Sequence, residues 1–178
     1  AVDDADETDQ DTAITLDNVL DNDSDADGDT LTVVRVEGET DNVGDPVPGS
    51  NGGLITINED GTASFDPNGD FDELGTGETE ETTVLYQISD GNGGTAIAEV
   101  TVTVTGTNDA PVAQNSSYIV NQDEAFGDDD ANAITDDTGE GVDSDVDGDP
   151  LTVAAVDGDA ANIGEQVAGD NGGLFIIN

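Results

Sequence analysis

Cysteine, histidine, tryptophan and methionine are all absent from this 178-residue chain, and lysine and arginine together occur once, as Arg35. Each absence closes off a class of chemistry. Without cysteine there is no disulfide framework and no thiolate metal site. Without histidine the usual general base and most transition-metal sites are gone. The seven serines have no neighbouring base in any hydrolase pattern. Paired carboxylates of the kind used in glycoside hydrolysis arise by chance in so acidic a chain, so the sequence reads as a non-enzyme. Six aromatics, four Phe and two Tyr, leave a modest core of Val, Ile, Leu and Ala. No apolar run approaches the ~20 residues needed to span a bilayer.

Against the single base stand 44 Asp and Glu, a formal net charge of −43. Such a chain repels nucleic acid and anionic membranes alike. Adaptation to high salt is a rival cause of the acidity, but it spreads carboxylates evenly, and these cluster in loops. The densest cluster is Asp23-Ser24-Asp25-Ala26-Asp27-Gly28-Asp29, followed at once by Leu31-Thr32-Val33. It recurs as Asp143-Ser144-Asp145-Val146-Asp147-Gly148-Asp149 before Leu151-Thr152-Val153. Two like charges about 4 Å apart repel by up to ~4 kcal/mol at an effective dielectric of 20. No side chain is available to neutralise them, so a hard divalent cation is the natural partner, and Ca²⁺ suits a flexible all-oxygen loop best. Asp23, Asp25 and Asp27 fit positions 1, 3 and 5 of an EF-hand loop, with Gly28 at 6 and the carbonyl of Asp29 at 7. Position 12, which needs a bidentate Glu, holds Val34 and, in the copy, Ala154. The loop is therefore not an EF-hand and must borrow its last ligands elsewhere. The alternative is a solvated acidic turn.

The offset of 120 holds without a gap from Asp23–Asn58 to Asp143–Asn178, with 21 identities in 36 positions, which shared composition does not produce. The chain is a tandem repeat. Its second copy carries an acidic insertion around Gly127 to Gly141, expected to be mobile, and stops after its fourth strand, so either a truncated chain, the favoured reading, or completion by another copy is expected. In the first copy, alternation between turn signals predicts strands at Thr12–Leu16, Leu31–Val36, Val43–Val47 (an edge, given Pro46), Leu54–Asn58, Thr62–Phe65, Thr83–Ser89 and Thr95–Thr105. Glu59-Asp60-Gly61 makes a hairpin turn. Val84, Tyr86 and Ile88 face the core, as do Val100, Val102 and Val104, and Ile97 breaks the alternation at an expected bulge. Seven short strands in ~100 residues without helical period indicate an immunoglobulin-type antiparallel β-sandwich. Counting poles along this order places the acidic loop near Asp70, Asp72 and the exit linker. Asp3, Asp4 and Asp90, further candidate ligands, fall at the opposite pole. Asn22-Asp23-Ser24 and Asn115-Ser116-Ser117 match the glycosylation sequon by chance, and Arg35 is expected in a surface ion pair.

Together with the acidic loop, Ser89-Asp90-Gly91-Asn92-Gly93-Gly94-Thr95 and Gly106-Thr107-Asn108-Asp109-Ala110-Pro111-Val112-Ala113 resemble bacterial cadherin-like and VCBS-type repeats, which occur in giant secreted adhesins of the RTX type. The resemblance implies all-β, cadherin-like sandwich repeats. Residues 1–107 form the first, 108–112 a calcium-binding linker in which Asn108 and Asp109 help hold the ion, and 113–178 an incomplete second. It also implies export by type I secretion to an extracellular, biofilm-associated setting and a stiff stalk of calcium-bound neighbouring repeats. The glycine-rich RTX nonapeptide is missing, so no β-roll is expected. The alternative function is a calcium-dependent adhesive module that binds itself or a surface polysaccharide. Carbohydrate sites favour aromatic platforms, however, and only Tyr118 is a candidate.

Overall fold

The computed structural model describes residues 1–119, 132–137, 139–169 and 174–177. The chain forms two compact units, Ala1–Asn108 and Asp109–Asn178. The first contains eight strands: β1 (Asp4–Asp9), β2 (Ile14–Leu16), β3 (Thr32–Val36), β4 (Val47–Pro48), β5 (Leu54–Ile57), β6 (Ala63–Asp66), β7 (Thr79–Ser89) and β8 (Thr95–Thr105). They build two four-stranded sheets in the orders β1-β8-β7-β3 and β2-β6-β5-β4. Two four-stranded sheets without a helix make the β-sandwich that the sequence leads one to expect.

Alternation drives it. Along β8, Ala98, Val100, Val102 and Val104 are buried while Glu99, Thr101 and Thr103 between them are half-covered, and Val84, Tyr86 and Ile88 of β7 lie beside them on the same face of the sheet. Ile55, Ile57, Ala63 and Phe65 supply the other sheet, and Phe71 closes on Phe65 edge-to-face at 6.2 Å and 62°. Each buried Val or Ile contributes ~1.5–3 kcal/mol by leaving water, and β8 alone supplies three, Val100, Val102 and Val104. At Gly53, φ is +69° and a Cβ would run into the Phe65 ring. Glycine is required there for both reasons.

Three expectations are corrected. β1 was not foreseen, because Asp-Ala-Asp-Glu-Thr-Asp shows no β-branched pattern. It forms through its main chain, which pairs in parallel with β8 from Asp4↔Val100 to Asp9↔Thr105. Tertiary pairing overrides propensity here, and the sandwich is not purely antiparallel. No bulge occurs at Ile97. The β7–β8 register runs unbroken through Gln87↔Ile97, and the irregularity lies between Val33 and Arg35. Ile97 points outward and is 62% exposed, while the small Ala96 and Ala98 keep the inward face. Finally, among the described residues Arg35 makes no ion pair. It donates from Nη1 to the Gly38 carbonyl at 2.9 Å.

The second unit repeats local geometry at the 120 offset only in part: residues 152–156, the counterpart of β3, form no strand, although a strand is expected there. Here β9 (Val167–Ala168) pairs with β10 (Leu174–Phe175) in the register of Val47–Pro48 with Leu54–Ile55. Asn162 Nδ2 donates to the Val156 carbonyl at 3.0 Å as Asn42 does to Val36. Asp157 takes φ 50° where Glu37 takes 49°. A 3-10 turn spans Ala160–Asn162. Residues 127–131 and 138 of the acidic insertion lie outside the described residues, as do Asn171-Gly172-Gly173 of the repeated turn.

Candidate metal centre

The position of β1 decides where the acidic loop sits. The chain doubles back between β1 and β2, with Thr8 Oγ1 donating to the Thr12 carbonyl at 2.8 Å and the Asp17 N–H reaching Asp6 Oδ2 at 3.1 Å. The loop after β2 therefore returns to the end of the sandwich where the chain began. Asp23 Oδ1 accepts the Val2 N–H at 2.7 Å, and the Ala1 ammonium lies 4.0 Å from the same oxygen. Asn22 Nδ2 donates to Asp4 Oδ1 at 3.0 Å and to the Asp3 carbonyl at 3.3 Å. Asp3 Oδ1 in turn accepts the Glu99 N–H at 3.0 Å. At the far side of the loop Asp29 Oδ2 accepts Asn92 Nδ2 at 2.7 Å. Asn92 belongs to the β7–β8 turn, where Asp90 Oδ1 accepts the N–H groups of Asn92 and Gly94 at 2.7 and 2.9 Å.

Asp3, Asp4, Asp23, Asp29 and Asp90 thus share one end of the first unit. This corrects the expected arrangement, which set Asp3, Asp4 and Asp90 opposite the loop and Asp70 and Asp72 beside it. The missed β1 accounts only for Asp3 and Asp4; Asp90 comes beside the loop because β3 pairs with β7 from Thr32↔Ser89, which sets the start of β3 against the β7–β8 turn. Asp70 caps the Gly53 N–H at 2.8 Å instead, and Asp72 is exposed. The exit segment holds to the other end of β1: Thr107 N–H donates to Gln10 Oε1 at 3.2 Å, and Thr107 Oγ1 to Asp11 Oδ2 at 2.9 Å.

Tyr86 is the group that sequence reading placed only in the core. It is buried, but its hydroxyl reaches Asp4 Oδ2 at 2.8 Å, the Val19 carbonyl at 3.0 Å, the Val2 carbonyl at 3.2 Å and Asp23 Oδ2 at 3.5 Å. One hydroxyl proton faces four acceptor oxygens, so the cluster is short of positive charge. Electrostatics follow. Burial, then the Asp23 and Asp3 charges, push the Asp4 carboxyl above its ordinary range, while the Tyr86 and Asn22 hydrogen bonds oppose the rise. Burial and the Asp4 carboxylate push the Tyr86 hydroxyl far above its usual range. The backbone N–H groups of its own turn, Asn92 first, hold Asp90 below the usual carboxylate range. Asn22, Asn92 and Tyr86 carried no sequence signal for this role, since each reads equally well as turn or core chemistry. The Asn22 amide is committed to Asp3 and Asp4, which agrees with the chance reading of its sequon.

The two acidic loops differ in how their oxygens are used. Asp25 Oδ1 folds the first loop on itself, accepting the N–H groups of Asp27 and Asp29 at 2.8 and 3.2 Å, with Gly28 at φ +81°. In the second, Asp145 Oδ1 accepts the Asp149 N–H at 3.1 Å, and Asp143 Oδ1 accepts the Gln114 N–H at 2.7 Å, as Asp23 does that of Val2. Asp147 Oδ2 accepts the Asp109 N–H at 2.8 Å, whereas Oδ1 is buried with no hydrogen-bond partner. One oxygen each from Asp145, Asp147 and Asp149 lies within 4.8 Å of the others, the only such trio among the described residues. An orphaned carboxylate oxygen beside two further carboxylates is a donor set that fits a hard divalent cation. Asn108 closes the first unit and Asp109 opens the second.

Residues 1–106 match the family model described as the bacterial cadherin-like domain. No curated protein matches the chain.

Proposed function

Starting from the premise that the chain belongs to the bacterial cadherin-like domain family, we propose that it is a calcium-stabilised tandem repeat serving as a rigid extender in a secreted bacterial surface adhesin of the RTX or VCBS type. The orphaned Oδ1 of Asp147, set in a trio of carboxylates, carries the reading. In the second unit Asp143, Asp145, Asp147 and Asp149 would hold the ion. In the first, Asp23, Asp25, Asp27 and Asp29 do so with Asp3, Asp4 and Asp90 beside them, and Asn108 and Asp109 contribute where the units meet in sequence. Bound calcium supplies the positive charge that 44 acidic residues and one base cannot.

The chain's own residues prepare the loops. The backbone N–H groups of Val2, Gln114 and Asp109 fix one oxygen of Asp23, Asp143 and Asp147. Gly28 and Gly148, at φ +81° and +77°, turn the two loops. An extender reading is favoured over an adhesive one because Tyr86 is spent in the core and Tyr118, 37% exposed, ties its hydroxyl to Asp136 and the Asn132 carbonyl. Among the described residues no helix is long and apolar enough to cross a membrane.

Calorimetric titration of the full chain with calcium, followed by thermal melts in calcium and in chelator, tests the proposal. Dissociation constants of ~10⁻⁴–10⁻³ M are expected. Free ion at 100 times that constant adds about 2.7 kcal/mol per site to stability. Absence of both heat and melting shift at ~10–100 mM calcium, 100 times that constant, refutes it. Small-angle scattering then reads stiffness, as a maximum dimension that falls in chelator.

A further inference from the structure

An extender must carry load, and the topology of the first unit shows how. Resting on the extender reading above, we infer that this unit is a force-bearing shear clamp whose strength lies in the β1–β8 pairing and not in its calcium. The strand nearest the chain's entry and the strand nearest its exit lie side by side and run parallel over six residue pairs. Tension between the ends pulls β1 from Asp4 and β8 from Thr105, in opposite directions along a shared axis. Evenly spaced parallel hydrogen bonds are then strained together, where a hairpin pulled from its open end would lose them one at a time.

The pairing is extended at both loaded ends by contacts outside the ladder. At the exit end, the buried Gln10 donates its N–H to the Thr105 carbonyl at 3.0 Å and accepts the Thr107 N–H on Oε1, while Asp11 holds the Thr107 hydroxyl. At the entry end, Asp3 accepts the Glu99 N–H, and the Tyr86 hydroxyl lies within hydrogen-bond distance of the Val2 carbonyl and Asp4. Force arriving from either direction meets these groups before it reaches β3 to β6. Forced unfolding follows the barrier on the loaded path rather than the overall equilibrium stability. The clamp therefore governs mechanical strength even where other regions melt first.

The absence of cysteine lets handles be placed at will. In the full chain, cysteines replacing Ala1 and Ala110 apply shear across β1–β8. Cysteines replacing Ala1 and the exposed Ile97 peel β1 from the start of β8. Single-molecule pulling is expected to give an unfolding force at least about two-fold higher in the first geometry, and the ratio persists in chelator. Equal forces in the two geometries overturn the inference. Gln10→Ala is expected to lower the shear force, while Ile57→Val, which weakens the core away from the loaded strands, leaves it unchanged; the reverse outcome also overturns it. A calcium-independent ratio with no calcium effect on stability would retire the calcium reading and keep the clamp. A calcium effect with no ratio would do the opposite.

Discussion

Replacing Tyr86 by phenylalanine removes one oxygen from the best-connected point of the first unit. The ring stays, so no cavity opens and the hydrophobic contribution is kept. What is lost is the only proton shared among Asp4 Oδ2, the Val19 and Val2 carbonyls and Asp23 Oδ2. A hydrogen bond to a charged group contributes ~1.5–3 kcal/mol net, and a buried carbonyl left unpaired costs ~1–3 kcal/mol. The hydroxyl cannot donate to all four at once, so these do not add, and a loss of about 2 kcal/mol is expected. At roughly 4–8 °C per kcal/mol for a domain of this size, the melting temperature of the first unit falls by about 10 °C. Urea unfolding followed by circular dichroism checks the free energy, with a lower midpoint at unchanged slope. A loss below ~0.5 kcal/mol, within the range of ordinary surface changes, refutes the claim that this hydroxyl ties the entry segment and the acidic loop to β7.

Asp4→Asn is expected to raise the melting temperature in chelator at neutral pH, because burial disfavours the ionised carboxyl. Its folded value is raised, so its contribution is fully present below the unfolded value near ~4 and is lost as pH rises through the folded one. The gap between variant and parent in chelator should open with rising pH from acid to neutral, and a gap that closes counts against the assignment. In saturating calcium the same variant should lose stability instead. Gly53→Ala places a methyl against the Phe65 ring at a backbone angle that alanine resists. A loss of ~2–4 kcal/mol by chemical denaturation is expected, and a neutral effect would show that the β4–β5 turn relaxes freely.

The core was legible because it obeys one rule: Val84, Tyr86 and Ile88, like Val100, Val102 and Val104, sit where alternation put them. β8 matches its sequence-derived bounds at both ends. Alternation failed where the main chain alone decides. Asp-Ala-Asp-Glu-Thr-Asp becomes a strand because β8 offers an edge, and no side-chain pattern announces that. The same omission misplaced Asp3 and Asp4, whereas Asp90 was misplaced because no side-chain pattern shows that β3 pairs with β7 from Thr32↔Ser89. Ile97 misled for a different reason, its size drawing it into a core that Ala96 and Ala98 line instead. The acidic loops were visible as chemistry, but that Asp147 keeps an idle oxygen while Asp25 and Asp29 are engaged follows from hydrogen bonds no spacing encodes.

The side-by-side placement of first and last strands also sets the timetable of folding. Asp3 and Glu99 are 96 positions apart when they bond, so the opening segment of the unit must wait, unpaired and highly charged, until nearly everything else has been made. Contacts this distant in sequence slow folding, because chain closure is met before any reward. The six waiting residues are four-sixths acidic, which keeps a solitary strand edge soluble and unattractive to its copies in neighbouring chains. A tail that looks too hydrophilic to be structural is thus suited to arriving last without aggregating first.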